Sequence, residues 1–440
     1  MAVWLLIMIA LAAAAFAAAR MTGVKPAEIL TGGAFKLAAI SIGVRLVFTL
    51  LPFTHPVDMV CFKTWSYELF GGGLRNFYLQ PGLHDYPPGY MYCLWLLGAA
   101  RSLFDLDYHG YTYTLLEKLP SILADAMTAL LIYRIAKPRA DDKNAPFFIA
   151  LLYALNPAVI LVSSVWGQVD SVPALMITAC VYWLTADKPA RAFALFGAAL
   201  AVKPQSLPFG LIFLYYAWHY LKSRRYSRGA FGRLGAACAA APCVMAALAA
   251  PFVPVVNGHW DPAPVIVQYI NTLTAQYNYA TVCAYNIWAL LGLNWGDIDA
   301  VFLGVPVWAW GMALLAAGAA SAVWALSRRK RAGWFLSAGW LLFCVFMFMA
   351  KMHERYMFAS MALFLAAYAM EPLRDIRRAY IFISAALFVN MADVLRVSLS
   401  GFNWAMLAVT SRVFSLATLA AFIYAAAVVR RYALTRRREG

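Results

Sequence analysis

The chain carries little charge for its length. Only 13% of its 440 residues are Asp, Glu, Lys or Arg, whereas soluble domains contain about 25%. Hydrophobic residues make up 64% of the chain, and the mean hydropathy is +0.69. Apolar runs of about 18 residues or more recur throughout, each long enough to cross a bilayer. These features exclude a soluble protein and predict an all-α polytopic membrane protein.

Several motifs are also absent. The seven cysteines include no C-x-x-C pair, so we expect neither a zinc site nor thioredoxin-like chemistry. No G-x-G-x-x-G or P-loop motif is present, so no nucleotide site is indicated. The net charge is +16, but the interleaved aromatic and basic residues typical of nucleic-acid binding are missing. We therefore predict no metal, no cofactor and no nucleic-acid partner.

The apolar runs predict a bundle of about 12 to 14 membrane-spanning helices, some of them short. Most of the 36 basic residues lie in short segments between alternate spans, and the positive-inside rule assigns these segments to the cytoplasmic side. The N-terminus is then outside and the C-terminus inside. The predicted spans are 3–19, 34–52, 111–136, 145–163, 171–186, 190–203, 205–221, 234–253, 303–326, 333–350, 356–370, 378–396 and 404–429.

Two long outer loops remain, 53–110 and 254–302. Residues 89–104 are apolar enough to cross, but a crossing there would reverse the charge bias, so we expect an amphipathic helix on the outer face. Segment 3–19 has no basic residue before it and is followed by Arg20, which favours a retained membrane helix over a cleaved signal peptide. We accordingly divide the chain into an extra N-terminal part, 1–33, and a catalytic core, 34–440.

The stretch FMFMAKMHERYMFASMA, 346–362, places four titratable or charged side chains between two apolar runs. On the predicted topology it lies at the outer membrane surface. Lys351, His353 and Arg355 are candidate ligands for a phosphate, and Glu354 is a candidate for orienting one of them. The alternative is a solvated hairpin whose charges merely end both helices.

Asp58 follows the span 34–52 in the stretch HPVDMVCFKTWSYELF. A carboxylate at the mouth of a membrane cavity is a candidate general base. Trp65 lies close behind it and offers an aromatic face for a sugar ring. The alternative is an ordinary interfacial aspartate within an aromatic belt.

Three further outer segments carry candidate contacts. In DYPPGYMYCLW the prolines indicate a helix start, Asp85 is a candidate cap, and Tyr86 is a candidate substrate contact. WGQVDS contributes Trp166, Gln168 and Asp170 as substrate contacts, with helix capping an equal alternative for Asp170. In AVKPQS, Lys203 is either a phosphate ligand or a lysine that extends to the membrane surface. These candidate residues are Tyr86, Trp166, Gln168, Asp170 and Lys203.

Charges also occur inside the spans, where each needs a partner or a polar cavity. Arg45 sits near mid-span in the helix that leads to Asp58. Asp393 and Arg396 are three residues apart and are expected to pair on one helix face. Glu117, Lys118, Asp125, Arg134 and Arg412 complete this set.

Six residues and motifs together resemble the GT-C superfamily of polytopic glycosyltransferases. In order along the chain they are Arg45, Asp58, DYPPGYMY, WGQVDS, VKPQ and KMHERY. The resemblance runs from about residue 40 to about 400. It is closest to the GPI-anchor second mannosyltransferase and its bacterial homologues, and more distant to the dolichyl-phosphate-glucose-dependent glucosyltransferases. Histidines of the glucosyltransferases are replaced here by WGQVD, which favours the mannosyltransferase-like branch.

The resemblance implies transfer of a single sugar, mannose in the first instance, from a polyprenyl-phosphate carrier, with inversion at the sugar carbon. By this resemblance, Asp58 matches the catalytic acidic residue of the family's first loop. His353 and Glu354 match the late motif near the donor phosphate, and Lys203 matches the basic residue of the middle motif. The acceptor would be a glycan, glycolipid or protein. The expected location is a bacterial plasma membrane, with the active site on the extracytoplasmic side.

Other function classes remain open on the sequence. A transporter or a flippase for lipid-linked sugars also places charges in its spans and uses broken helices. A polysaccharide ligase or polymerase would use a diphosphate-linked donor. An assembly subunit with a decayed active site would have lost Asp58, which is present.

Overall fold

The structure is a computed structural model that describes residues 20–23, 32–139, 142–328 and 332–435. The predicted span 3–19 lies outside these ranges. The described helices are Gly32–Thr49, Pro56–Gly72, Pro88–Leu103, Tyr111–Ala136, Ala145–Ala154, Pro157–Ile160, Ser171–Thr185, Pro189–Val202, Gly210–Ser223, Arg228–Ala249, Ala263–Thr274, Ile287–Leu290, Val307–Ser327, Gly333–Phe348, Phe358–Met370, Arg374–Leu399 and Trp404–Leu434.

Short irregular turns and strands connect these helices. There are 3₁₀ turns at Leu74–Leu79, Lys137–Arg139, Pro204–Phe209 and Ala250–Phe252, and a π-helical turn at Leu161–Trp166. The described strands are all two residues long: Val255–Val256, His259–Trp260, Thr281–Val282, Val301–Phe302, Val305–Pro306 and Met352–His353. The chain is thus an all-α polytopic membrane protein.

About half of the predicted spans are helices long enough to cross a bilayer. Among the described residues, six helices are long and apolar enough to cross: Gly32–Thr49, Tyr111–Arg139, Arg228–Phe252, Val307–Ser327, Arg374–Leu399 and Ala405–Leu434. Four shorter apolar helices are Ser171–Thr185, Pro189–Val202, Gly333–Phe348 and Phe358–Met370. Pro88–Leu103 belongs to neither group, although its sequence alone could suggest a span.

One predicted span, 145–163, is a broken helix. Ala145–Ala154 and Pro157–Trp166 meet at an angle of 45°. Pro157 lacks a backbone N–H and therefore cannot continue the first helix. The side chain of Asn156 instead accepts hydrogen bonds from the backbone N–H groups of Ala158 and Val159, which begins the second helix.

The chain divides into two compact units, each made of separate sequence segments. Among the described residues, unit 1 comprises 20–23, 54–124 and 167–276, and unit 2 comprises 32–53, 125–139, 142–166, 277–328 and 332–435. In unit 1, Pro189–Val202 packs against Ser171–Thr185 and Arg228–Ala249, and Pro56–Gly72 packs against Pro88–Leu103. The last pair approaches closely at Gly98, where an added Cβ would lie 2.2 Å from the carbonyl oxygen of Ser66.

Unit 2 contains four of the mid-span charges that the sequence predicts to need partners, Arg45, Asp125, Asp393 and Arg396. Arg45 is fully buried, and its Nε donates to the Asp125 carboxylate at 2.9 Å. Its Nη1 donates to the carbonyl oxygen of Ala154 at 2.8 Å. Arg396 pairs with Asp393, three residues before it on the helix Arg374–Leu399. The predicted pairing of these charges is therefore confirmed.

Candidate functional site

Asp58 lies in the first turn of the helix Pro56–Gly72. Pro56 suits a helix start because its fixed φ matches the helix and its missing N–H would have no partner there. The backbone N–H groups of this turn favour a negative charge on Asp58. His55 caps the helix by accepting the Asp58 N–H on Nδ1 at 3.3 Å, which requires Nδ1 to be unprotonated. The Asp58 side chain is 21% exposed and is thus open to a substrate hydroxyl.

A buried amide orients this carboxylate. Gln168 is 1% exposed, and its Nε2 donates to Asp58 Oδ2 at 2.5 Å. Its Oε1 accepts a hydrogen bond from the Tyr86 hydroxyl at 3.3 Å. The Ser121 hydroxyl donates to the main-chain carbonyl oxygen of Gln168 at 2.6 Å and fixes the backbone there. Because donors and acceptors are satisfied on both sides of the amide, Gln168 fixes the direction of the Asp58 carboxylate.

Aromatic rings pack beside this amide. The Trp65 and Tyr86 ring centroids are 5.6 Å apart, and the Trp65 indole N–H donates to the Leu83 carbonyl oxygen at 2.8 Å. Trp65 is only 4% exposed, so it holds Tyr86 rather than offering a broad face to a sugar. Tyr86 is the more accessible of the two rings.

Lys203 and Asp170 form a buried ion pair. Lys203 Nζ lies 3.1 and 3.0 Å from the two carboxylate oxygens of Asp170, and the side chains are 2% and 5% exposed. Nζ also lies 5.0 Å from the centroid of the Tyr86 ring, a cation–π distance. The positive charge of Lys203 is therefore already neutralised within unit 1.

The two capping roles considered for acidic residues are not found. Asp170 occupies the N-cap position of Ser171–Thr185, but its side chain makes no capping hydrogen bond there because it binds Lys203 instead. The helix that begins at Pro88 has Pro87 as its N-cap residue, with no side-chain cap. The capping prediction is thus wrong for both Asp85 and Asp170.

Unit 1 therefore brings together Asp58, Trp65, Tyr86, Gln168, Asp170 and Lys203. The sequence predicts these six residues from four separate segments, and contacts connect them without a gap. We refer to these six residues as the carboxylate cluster. Trp166 belongs to unit 2, where it ends the π-helical turn with 1% of its surface exposed. Such burial leaves little ring surface for a sugar.

The segment 351–355 is built into unit 2 by its backbone. Met352–His353 pairs as a parallel strand with Thr281–Val282. Lys351 has a positive φ of 64°, and its backbone N–H donates to the Tyr279 carbonyl oxygen at 3.1 Å. Its Nζ donates to Asn278 Oδ1 at 2.8 Å. We refer to Lys351, His353, Glu354 and Arg355 as the basic segment.

The basic segment is packed rather than solvated. His353, Glu354 and Arg355 are 7%, 3% and 9% exposed. The His353 ring contacts Tyr277 and Tyr356, with centroid distances of 4.7 and 5.1 Å. Glu354 pairs with Arg355 and lies 4.0 Å from His353 Nδ1. The interpretation of this stretch as a solvated hairpin is therefore wrong.

Burial lowers the pKa of Lys351, since removing water disfavours the charged ammonium. Lys351 is also the most open cation of the basic segment. It is thus the cation of this segment that is most accessible to a phosphate. Within the ranges that the structure describes, no group of three or more His, Cys, Asp or Glu side chains is placed to hold a metal ion.

Sequence reasoning missed three neighbours of these residues. His55 precedes Asp58 by three positions, and HPVD contains the proline that marks a helix start, so its capping role could have been found. Tyr277 and Asn278 lie in the aromatic loop 254–302, which was recognised only as a whole. Their contacts with residues about 75 positions later depend on strand pairing that short two-residue strands do not reveal in sequence.

Comparison with known proteins gives one match. Residues 77–284 match the family model of the GPI transamidase subunit PIG-U, which is slightly less than half of the chain. No curated protein matches. The matched segment includes Tyr86, Trp166, Gln168, Asp170 and Lys203 and ends before the basic segment. Asp58 also lies outside it.

Proposed function

We propose that this chain is a glycosyltransferase that moves a single sugar, mannose first among the candidates, from a polyprenyl-phosphate carrier to an acceptor hydroxyl. The proposed location is the non-cytoplasmic membrane face. The observation that carries the proposal is the partly exposed Asp58 carboxylate, oriented by the buried amide of Gln168. This arrangement is typical of a general base, which must be accessible and fixed in direction.

In the proposed reaction, the acceptor oxygen attacks the anomeric carbon of the donor sugar from the face opposite the phosphate. A new carbon–oxygen bond forms while the bond between the anomeric carbon and the phosphate oxygen breaks. The acceptor proton passes to Asp58, and the polyprenyl phosphate leaves with the electron pair of the broken bond. A single displacement of this kind inverts the sugar carbon.

We assign the donor phosphate to the basic segment. Lys351 and Arg355 supply positive charge, and His353 supplies a further nitrogen donor when protonated there. Glu354 holds Arg355 in place. Positioned cations can stabilise the charge that develops on a departing phosphate. Lys203 binds Asp170 and faces the Tyr86 ring within the carboxylate cluster, so we assign it to positioning these two residues rather than to the phosphate.

A glycolipid is the acceptor class we favour. The sequence resembles a GPI-anchor mannosyltransferase, and the matched family is named for a GPI transamidase. Both names refer to glycolipid-anchor chemistry. A membrane protein with outer loops can present such an acceptor to a lipid-linked donor without either lipid leaving the bilayer.

The family match favours a second candidate function, a non-catalytic subunit of a membrane complex such as a GPI transamidase. In that function the carboxylate cluster would bind a glycan without transferring it. The match covers most of the carboxylate cluster but neither Asp58 nor the basic segment, so it bears on substrate recognition more than on catalysis.

The test uses the full chain, purified alone in lipid nanodiscs, with radiolabelled polyprenyl-phosphate mannose, glucose or galactose and a crude glycolipid extract. We expect label from one carrier to appear in a new product. No transfer from any of the three, together with recovery of the chain from native membrane in a stable complex, would favour the subunit function. No transfer together with movement of the carrier lipid across liposomes would favour a flippase.

A further inference from the structure

Unit 2 contains a pocket of about 440 Å³ apart from the residues assigned above. One wall is formed by Tyr279, Gly292, Asn294 and Trp295. The other is formed by four residues of the helix Trp404–Leu434: Leu407, Ala408, Ser411 and Arg412. This volume falls within the range of about 300–1,000 Å³ that is typical of small-molecule sites.

Arg412 is the one cationic side chain that lines this pocket. Its guanidinium lies close beside Gly292, where an added Cβ would be 2.5 Å from Nη2. Gly292 has a φ of 82°, which glycine adopts readily. Among the parts of the chain that the structure describes, Arg412 has no hydrogen bond or ion pair, whereas Arg45 and Arg396 both bind carboxylates.

The setting of Arg412 is a membrane helix. Residues 405–434 are long and apolar enough to cross a bilayer, and Arg412 lies about 12 Å along the axis from the helix start. An arginine within such a segment is costly unless something compensates its charge. The Arg412 side chain is exposed, and its guanidinium lies beside Gly292 in the pocket wall, where it is open to a ligand that carries the opposite charge.

The chemistry around Arg412 fits a phosphate attached to a lipid. Guanidinium groups bind phosphate through paired N–H donors. The Tyr279 and Trp295 rings, with centroids 5.1 Å apart, form an apolar wall beside it. On the same helix, Val409, Val413 and Leu416 are 64%, 55% and 56% exposed and offer an apolar surface for a hydrocarbon chain. A free phosphate would gain nothing from these surfaces.

We propose that this pocket binds the phosphate head group of a membrane lipid, with Arg412 as its main ligand. An anionic phospholipid and an isoprenoid phosphate share this chemistry, and the experiment below distinguishes them. The proposal goes beyond the proposed function because it concerns binding only and requires no sugar transfer.

The experiment measures lipid retention by native mass spectrometry on the full chain in detergent, with no acceptor present. The probes are phosphatidylglycerol, a polyprenyl phosphate, the corresponding polyprenol and inorganic phosphate. The variants are Arg412→Gln and Arg412→Lys. The control is Arg430→Gln, an exposed arginine of the same helix that does not line the pocket.

We expect at least one phosphate lipid to bind the wild type more tightly than polyprenol does, and the tighter of the two lipids identifies the source. Arg412→Gln should weaken that binding at least tenfold, Arg412→Lys should retain part of it, and Arg430→Gln should leave it unchanged. Equal binding to Arg412→Gln and wild type would overturn the proposal. So would equal retention of polyprenol, or inorganic phosphate that binds as tightly as the lipids. Because no turnover is measured, a failed transferase assay would not affect this result.

Discussion

The carboxylate cluster and the basic segment are both buried and both charged, but they are held in different ways. In the carboxylate cluster, side chains from four sequence segments bind one another through Gln168, Tyr86 and the Lys203–Asp170 pair. In the basic segment, a backbone strand pairs with Thr281–Val282 and sets the positions of the side chains. Single substitutions should therefore disturb the first region more than the second.

The largest effect should come from breaking the ion pair of the carboxylate cluster. Lys203→Met leaves Asp170 as a buried carboxylate without its cation, which costs about 3–5 kcal/mol. The double variant Lys203→Met with Asp170→Leu should recover most of that loss, because it removes both charges. Thermal unfolding in detergent measures the stability of the wild type, the single variant and the double variant. Equal stability of the single variant and wild type would show that the pair does not hold the cluster.

Gln168→Glu tests whether the amide orients Asp58. Two carboxylates in contact raise the pKa of one of them, so more of Asp58 is protonated at neutral pH. We expect turnover to fall roughly 10- to 100-fold at neutral pH and the acidic limb of the pH–rate profile to move to higher pH, as expected for a weakened general base. Gln80→Glu, which adds the same charge at an exposed position of unit 1, is the control. An unshifted pH profile in Gln168→Glu would contradict the positioning role.

Thr281→Val tests whether backbone pairing is enough to hold the basic segment. The Thr281 hydroxyl donates to the carbonyl oxygens of Ala284 and Met352 at 3.2 and 3.3 Å. Loss of a buried hydrogen bond of this kind costs about 1 kcal/mol, and valine keeps the shape. We expect a small fall in unfolding temperature and nearly unchanged donor affinity. A large loss of donor binding would show that side chains, not the strand, position the segment.

The smallest effect should be a pH dependence of donor binding. Because burial lowers the pKa of Lys351, its positive charge is complete at low pH and is lost at a lower pH than that of an ordinary lysine. Donor affinity should therefore fall as pH rises into the alkaline range. Lys351→Arg keeps the positive charge at alkaline pH and should abolish that fall. The control is Lys222→Arg, which replaces an exposed lysine and should leave the fall unchanged. Identical alkaline behaviour of wild type and Lys351→Arg would remove Lys351 from the phosphate assignment.

The sequence predicts the helices of the fold far better than it predicts the contacts between side chains. Each predicted span within the described residues coincides with a helix or, at 145–163, with a broken pair. Apolar length alone carries that information. The need of Arg45 for a partner was also predictable from the cost of a charge in an apolar span, but the identity of Asp125 as that partner was not.

The site residues show why contacts are harder to predict. Asp170 and Lys203 were assigned to a sugar and to a phosphate, yet they bind each other across 33 positions. Trp166 was expected to face substrate and is buried. In both cases residue type and predicted membrane side were known, while the direction of the side chain depends on tertiary packing. His353 and Glu354 are predicted from a charged stretch between two apolar runs, and only the strand pairing of Met352–His353 with Thr281–Val282 shows that they are ordered.

The most direct test of the central proposal measures the sugar-transfer rate of Asp58→Asn. The control is Glu68→Gln, which removes another carboxylate from the same helix. Loss of the general base should lower kcat about a thousandfold, with the donor KM and the unfolding temperature unchanged. Glu68→Gln, whose carboxylate pairs with His84, should keep most of the activity. If Asp58→Asn transfers sugar at the wild-type rate, Asp58 is not the base and the proposed mechanism is wrong.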